Sequence, residues 1–360
     1  MTHAGYTEAD FDISPLMFYY EITQACDLVC EHCRASAKPD PDPLELQREQ
    51  SQALIDQIAT FPKPPTLVLT GGDPLKRRDL FDLIRHAAGA GLQVALTPSA
   101  TPLATYEAFA AAQEAGVSRL GISLDGADAA VHDAFRGWSG SFERTLQMLA
   151  HARRLRLPVQ VNTSVTQRNV HQLDAIAELL AEQGIAMWSA FFLIPVGRGL
   201  QQQRISPAEY ELVFEKLYRH ARSKPYGVKT TEAPHYRRYV LQQHGNPLAG
   251  PAGHTDGEHR GHRAPLGVWD GRGVMFVSQI GEIFPAGFLP LCCGRFPENS
   301  VVDVYQNHPT FRALRNADGF QGKCGFCEYR QICGGSRARA YAVTGDALES
   351  EPDCVYEPQV

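Results

Sequence analysis

Apolar residues along the chain recur in one rhythm, a short run with strand character followed by a longer stretch with helical spacing. Leu16 to Thr23 is the first strand-like run, and Leu44 to Ala59 the first amphipathic helix. The rhythm continues with strand Thr66 to Thr70, helix Leu80 to Ala88 closed by Gly89, strand Gln93 to Thr97 and helix Tyr106 to Ala115. It then runs through strand Arg119 to Leu124, helix Phe142 to Leu155, strand Val159 to Val165, helix Leu173 to Gln183, strand Ala186 to Leu193 and helix Pro207 to Ser223. Six such units are too few for a closed eightfold barrel but suit an open, partial (βα)6 barrel of the α/β class. Parallel strands joined by crossover helices collect functional residues on the loops at their C-terminal ends.

From Lys224 to Pro265 the periodicity fails, and Gly, Pro and polar residues dominate. This reads as a loop or lid, and its histidines His235, His244, His254, His259 and His262 share no spacing that would gather them, so they read as solvated. Gly273 to Ala286 reads as a β-hairpin and Asp303 to Arg315 as helix. The expected division is a tail at 1–15, a barrel at 16–223, a linker or lid at 224–270 and a small C-terminal unit of hairpin and helix at 271–360.

Charge narrows the function. The 34 basic and 40 acidic residues leave a net charge of −6, with no basic stripe of the kind that reads nucleic acid. No run approaches the roughly 18 apolar residues of a membrane span, and the first residues have neither a basic start nor an apolar core, so a cytoplasmic protein is expected. In a reducing compartment clustered cysteines read as metal ligands before disulfides. The nine here fall into two groups.

The first group lies in Thr23-Gln24-Ala25-Cys26-Asp27-Leu28-Val29-Cys30-Glu31-His32-Cys33, directly after the first strand. Three thiolates can hold three irons of a [4Fe–4S] cube and leave the fourth open, whereas an electron-transfer cluster takes four. A zinc site or buried thiols are the alternatives, although zinc prefers four ligands. The second group offers four thiolates, Cys324, Cys327, Cys333 and Cys354, enough to close another [4Fe–4S] cluster or a zinc knuckle. Cys292 and Cys293 are adjacent, and adjacent cysteines rarely both reach one metal.

The Cys26, Cys30, Cys33 spacing resembles the signature of the radical S-adenosylmethionine (SAM) superfamily. The resemblance implies that SAM chelates the open iron and is reductively cleaved to a hydrogen-abstracting 5′-deoxyadenosyl radical, with electrons from a low-potential flavodoxin or ferredoxin type donor. Gly71-Gly72-Asp73-Pro74 is similar to the family's Gly-Gly-Glu motif for the methionine amino group, with Asp73 in place of Glu and the backbone of Gly71 and Gly72 as the closer contact. Ser123 and Asp125, then Arg136, resemble the region that holds the ribose and amino acid parts of SAM, and His32 matches the residue lying against adenine. Asn162, Thr163 and Ser164 are further candidate pocket groups.

The C-terminal cysteines resemble the SPASM/twitch extension, which implies an auxiliary [4Fe–4S] cluster. Ala286 and Ser336 stand where related chains often carry cysteine, which points to one auxiliary cluster rather than two. Phrases such as Pro195-Val196-Gly197-Arg198-Gly199, Thr231-Glu232-Ala233-Pro234-His235-Tyr236 and Gly334-Gly335-Ser336-Arg337 are similar to the iron–coproporphyrin decarboxylases of the alternative haem b route and to their haem d1 relatives. Oxidative decarboxylation of a tetrapyrrole propionate is the expectation that follows. Radical modification of a ribosomal peptide is the alternative, and an iron–sulfur or zinc scaffold is the reading without catalysis.

Overall fold

The computed structural model describes residues 6–201, 203–243 and 267–359. Ten strands form one sheet: β1 (Met17–Thr23), β2 (Thr66–Gly71), β3 (Gln93–Leu96), β4 (Val117–Ser123), β5 (Val159–Val165), β6 (Met187–Phe192), β7 (Gly227–Thr231), β8 (Val274–Val277), β9 (Glu282–Phe284) and β10 (Gly294–Arg295). Their spatial order is β10-β9-β8-β1-β2-β3-β4-β5-β6-β7. Strands β1 to β7 pair in parallel with their sequence neighbours, so all seven end on the same side, where their loops meet.

Alternation on each strand decides which residues face the helices and which face the lumen. On β1, Phe18, Tyr20 and Ile22 are fully buried in the main apolar core, while Met17, Tyr19, Glu21 and Thr23 lie on the opposite face. The helices are set by local signals: Thr105 Oγ1 accepts from Ala108 N at 3.1 Å to start Tyr106–Ala115, and Ser206 and Glu209 form a capping box before Pro207–Ser223. A second apolar cluster of Ile194, Ala286, Leu289, Leu314, Ala338 and Ala347 lies under the C-terminal region.

Several elements differ from the sequence expectation, among them the helix Ala129–Arg136, which it did not include. Gly227–Thr231 and Tyr236–Gln243, within the stretch read as loop, form β7 and a helix. Strand β7 was hidden because it turns only Val228 into the main core and carries Lys229, Thr230 and Thr231 beside it; its pairing with β6 supplies the rest. The expected helix Asp303 to Arg315 is two helices, Val301–Asn307 and Pro309–Arg315, because Pro309 opens the second. The hairpin at 273–286 is present, but β8 pairs in parallel with β1, so it extends the barrel sheet. Of the five histidines expected to be solvated, His235 is instead buried against Tyr210 and Phe214, while His244, His254, His259 and His262 lie outside the described residues. No helix among the described residues is long and apolar enough to cross a membrane.

Behind β6 the fully buried Trp188 donates its indole N–H to Thr163 Oγ1 at 2.9 Å, and that hydroxyl donates to Leu124 O at 2.7 Å. Thr163→Val leaves the indole N–H and this carbonyl without their shared partner in an apolar setting. It is expected to cost about 1–3 kcal/mol, read as a lower midpoint in urea denaturation followed by tryptophan fluorescence.

Candidate active site and cysteine pocket

The loop leaving β1 carries Cys26 and Cys30, both buried, and the half-buried Cys33. Its backbone is held from three neighbouring strand ends. From β2, Gly72 N and Asp73 N donate to Thr23 O and Ala25 O at 2.9 and 2.7 Å. From the turn after β6, Arg198 donates through its backbone N to Cys33 O at 3.0 Å, through Nε to Cys30 O at 2.8 Å and through Nη1 to Ala37 O at 3.2 Å. From beyond β4, Gly137 ends helix Ala129–Arg136 in a left-handed conformation and packs on Val29.

Two of these approaches leave no room for a side chain. A Cβ on Gly71, whose φ is +144°, would meet Thr23 O at 2.1 Å, and one on Gly72 would meet Ala25 O at 2.4 Å.

Each sulfur of the triplet has polar neighbours. Leu28 N donates to Cys26 Sγ and Ala37 N to Cys33 Sγ, both at 3.4 Å, while Arg136 Nη1 donates to Cys30 Sγ at 3.8 Å. Ser99 Oγ lies 3.7 Å from Cys26 Sγ. Burial pushes the Cys26 and Cys30 thiols up, so thiolates in this loop need an adjacent cation, which an iron cluster provides.

Beside the loop, Asp125 is fully buried. Its Oδ1 accepts from Ser164 N at 2.7 Å, and its Oδ2 pairs with Arg136 Nη2 at 2.5 Å. The His32 ring packs on Phe135 with centroids 4.5 Å apart, and its pKa is held well below the usual value, first by burial and then by the charges of Arg136 and Arg198. The ring is therefore neutral at neutral pH. His32 Nδ1 and Arg136 Nε are buried with no hydrogen-bond partner among the described residues, so polar groups of a ligand fit there. Ser123 ends β4 with Asn162 opposite it on β5. Asp73, also fully buried, accepts from Leu75 N, Ser99 N and Thr101 Oγ1 at 3.2, 3.3 and 2.6 Å, so both its oxygens hold the turn that presents Gly71 and Gly72.

Far along the chain, Cys324, Cys327, Cys333 and Cys354 line one small cavity with Phe320, Tyr329 and Tyr356. Glu351 N donates to Cys324 Sγ at 3.3 Å and Gly335 N to Cys333 Sγ at 3.4 Å. Burial pushes the Cys327 and Cys354 thiols up to about 11. Among the described residues no three His, Cys, Asp or Glu side chains close on a single-ion position. Cys293 is buried against β9, to which its N–H donates at Ile283 O, and neither it nor the exposed Cys292 lines the cavity. Ala286 is packed in the second apolar cluster.

A buried polar network joins this pocket to the strand ends. Ser336 Oγ donates to Glu232 Oε2 at 2.5 Å and accepts from Arg339 N at 3.1 Å, capping helix Arg337–Thr344. Arg339 pairs with Glu351 at 3.0 Å and with Asp353 at 3.1 Å, and donates to Glu232 O at 2.6 Å. Burial raises the carboxyls of both Glu232 and Asp270, and the Asp270 charge raises Glu232 further, so this neighbouring pair retains a proton.

Residues 20–180 match the family description Radical SAM superfamily. The AdoMet-dependent heme synthase of Methanosarcina barkeri is 40% identical over 345 residues, 96% of this chain and 97% of that protein. The chain belongs to the radical SAM superfamily. The PqqA peptide cyclase of Bradyrhizobium diazoefficiens is 26% identical over 96% of this chain and 87% of its own length. The crystal structure of Streptococcus suis SuiB bound to S-adenosylmethionine shares the fold, with a TM-score of 0.71 at 15% identity over 96% of this chain and 78% of that one.

Membership of the radical SAM superfamily makes this chain an enzyme that uses SAM, a [4Fe–4S] cluster and a reductant. In this radical SAM enzyme the loop gathers Cys26, Cys30, Cys33, His32, Gly71, Gly72, Asp125 and Arg136 around one place. Sequence reasoning missed Arg198 as a clamp on the loop and Ser99 and Thr101 as partners of Asp73. Gly197 carried a signal for the first, since a Cβ there would meet Arg34 O at 2.2 Å, but the contact spans more than 160 residues.

Gly72→Ala is expected to displace the cysteine loop and lower iron per chain after anaerobic reconstitution by at least about half, because the clashing atoms are backbone and cannot turn aside. Gly89→Ala meets nothing within 4 Å and serves as the control whose iron content stays at the wild-type level.

Proposed function

We propose that this chain carries out oxidative decarboxylation of a tetrapyrrole propionate. The observation that carries the reading is the three-cysteine loop closed over the Gly71-Gly72 turn beside two unpartnered buried polar atoms, His32 Nδ1 and Arg136 Nε. For the substrate the support is the 40% identity with a heme synthase over nearly the whole of both chains, against 26% with the peptide cyclase.

In this reading Cys26, Cys30 and Cys33 hold a [4Fe–4S] cluster. Gly71 and Gly72 meet the amino acid part of SAM, with Asp73 bracing their turn. Ser123, Asp125 and Arg136 serve its ribose and carboxylate, and His32 lies against the adenine. The cluster and SAM, when bound, supply a hydrogen-abstracting 5′-deoxyadenosyl radical. The protein's part is to exclude water, to hold one propionate C–H bond in reach and to keep His32 uncharged beside a cationic sulfonium.

Removing a hydrogen atom and carbon dioxide from a propionate leaves one electron over. A second redox group meets that need, and Cys324, Cys327, Cys333 and Cys354 are assigned an auxiliary [4Fe–4S] cluster. Four thiols lining one cavity supply the ligand number that closes a [4Fe–4S] cluster. On this assignment the parallel strands β1 to β7 and their helices form the SAM-bearing unit, which extends past the expected bound at 223, and 271–360 the auxiliary one. The reductant is assigned as a flavodoxin or ferredoxin type donor, and the enzyme is assigned to the cytoplasm.

Two variants test the assignment. Cys26→Ala is expected to abolish 5′-deoxyadenosine formation from SAM under dithionite and to remove about four irons per chain. Cys333→Ala is expected to remove about four different irons, keep 5′-deoxyadenosine formation and lose the decarboxylated porphyrin. Zinc rather than iron at the second site, or 5′-deoxyadenosine formation by Cys26→Ala, refutes the corresponding half.

A further inference from the structure

Strand register draws a polar row across the lumen face of the barrel. Ser123 on β4 pairs with Asn162 on β5, Asn162 with Ser189 on β6, and Ser189 with Lys229 on β7. The adjacent residues Ile122, Val161, Trp188 and Val228 point the other way into the apolar core, so the row faces the lumen. Lys229 stands three strands from Ser123, about 14 Å along the sheet at the usual strand spacing, and at the same height as the candidate SAM site.

Lys229 is a cation on this face with no ion pair among the described residues. Among the described residues no carboxylate lies within ion-pairing distance of it and no acceptor within hydrogen-bond reach. The acidic groups nearby are engaged: Glu21 pairs with Arg34, Asp125 with Arg136, and Glu232 with Ser336 and Asp270. The influences on Lys229 are burial and the like charge of Arg119 on β4, and together they push its pKa down to about 8. Lys229 is half-buried; an ammonium partly withdrawn from water near another cation without an anion is costly, and a bound anion relieves the cost.

We propose that Lys229 is a substrate-positioning residue that pairs with a carboxylate of the tetrapyrrole, holding the macrocycle along the row that begins at Ser123. The assignment rests on the tetrapyrrole reading above. An anion at Lys229 has two possible sources, a substrate propionate and the carboxylate of SAM, and it is assigned to the propionate because the SAM-side carboxylate has Arg136 beside the cysteine loop, three strands away.

The test uses the reconstituted enzyme and three probes: coproporphyrin III, its tetramethyl ester and SAM. Porphyrin binding is followed by Soret titration and SAM binding by equilibrium dialysis. Lys229→Met is expected to weaken coproporphyrin III by on the order of tenfold or more, as for loss of a charged hydrogen bond. Lys229→Arg is expected to retain most of the affinity, which guards against misfolding. The ester, lacking carboxylates, is expected to bind wild type and Lys229→Met alike, and SAM binding is expected to be unchanged in both variants. Equal coproporphyrin III affinity in wild type and Lys229→Met overturns the role of Lys229 alone. Loss of SAM binding with porphyrin binding intact assigns the lysine to SAM and also overturns it. If the wild type binds neither porphyrin, the tetrapyrrole reading falls and this assignment falls with it.

Discussion

Everything at the functional end of this molecule depends on how closely β2 passes under the chain leaving β1. Two glycines there lie so near Thr23 O and Ala25 O that no side chain fits, and the N–H groups of Gly72 and Asp73 bond to those same carbonyls. The contact converts a loop that could take many shapes into one with three sulfurs in fixed places. Arg198 from the far side of the barrel and Gly137 at a helix end press on the same loop, so its order comes from tertiary contacts at three strand ends.

Charge at these strand ends is balanced pair by pair. Buried ion pairs repay their desolvation only when geometry and further hydrogen bonds are good, and Asp125 with Arg136 and Arg339 with Glu351 meet that condition. The balance is left incomplete at His32 Nδ1 and Arg136 Nε, which have no hydrogen-bond partner among the described residues.

The four-cysteine pocket is mounted on the same frame. Strand β8 extends the barrel sheet at β1, and the network through Glu232, Ser336, Arg339 and Glu351 ties the end of β7 to the helix that follows Cys333. A shared sheet and a buried, hydrogen-bonded network resist relative motion. The two cysteine groups, about 300 residues apart in the chain, are therefore held in one fixed relation.

Much of this was legible in the chain itself. Strand alternation and helical spacing are local properties, so the first six strands and most helices between them were readable, though not Ala129–Arg136, and the triplet Cys26, Cys30 and Cys33 was readable because a ligand set within eight residues is also local. Long-range pairing is not. Strand β7 turns one residue into the main core and becomes a strand because β6 offers it hydrogen bonds, and β8 finds β1 across some 250 residues. The same holds for Asp73, whose identity hinted at a ligand contact but whose oxygens are taken by Ser99 and Thr101 from the loop after β3, and for Ser336, which sits in a buried network with Glu232. The sequence by itself determined the family, the βα rhythm and the metal-binding spacings, since these rest on residues close together in the chain. Only the tertiary structure decided which strands adjoin, which charges find partners and which are left for a ligand, because each of those depends on groups that folding alone brings within a few ångströms.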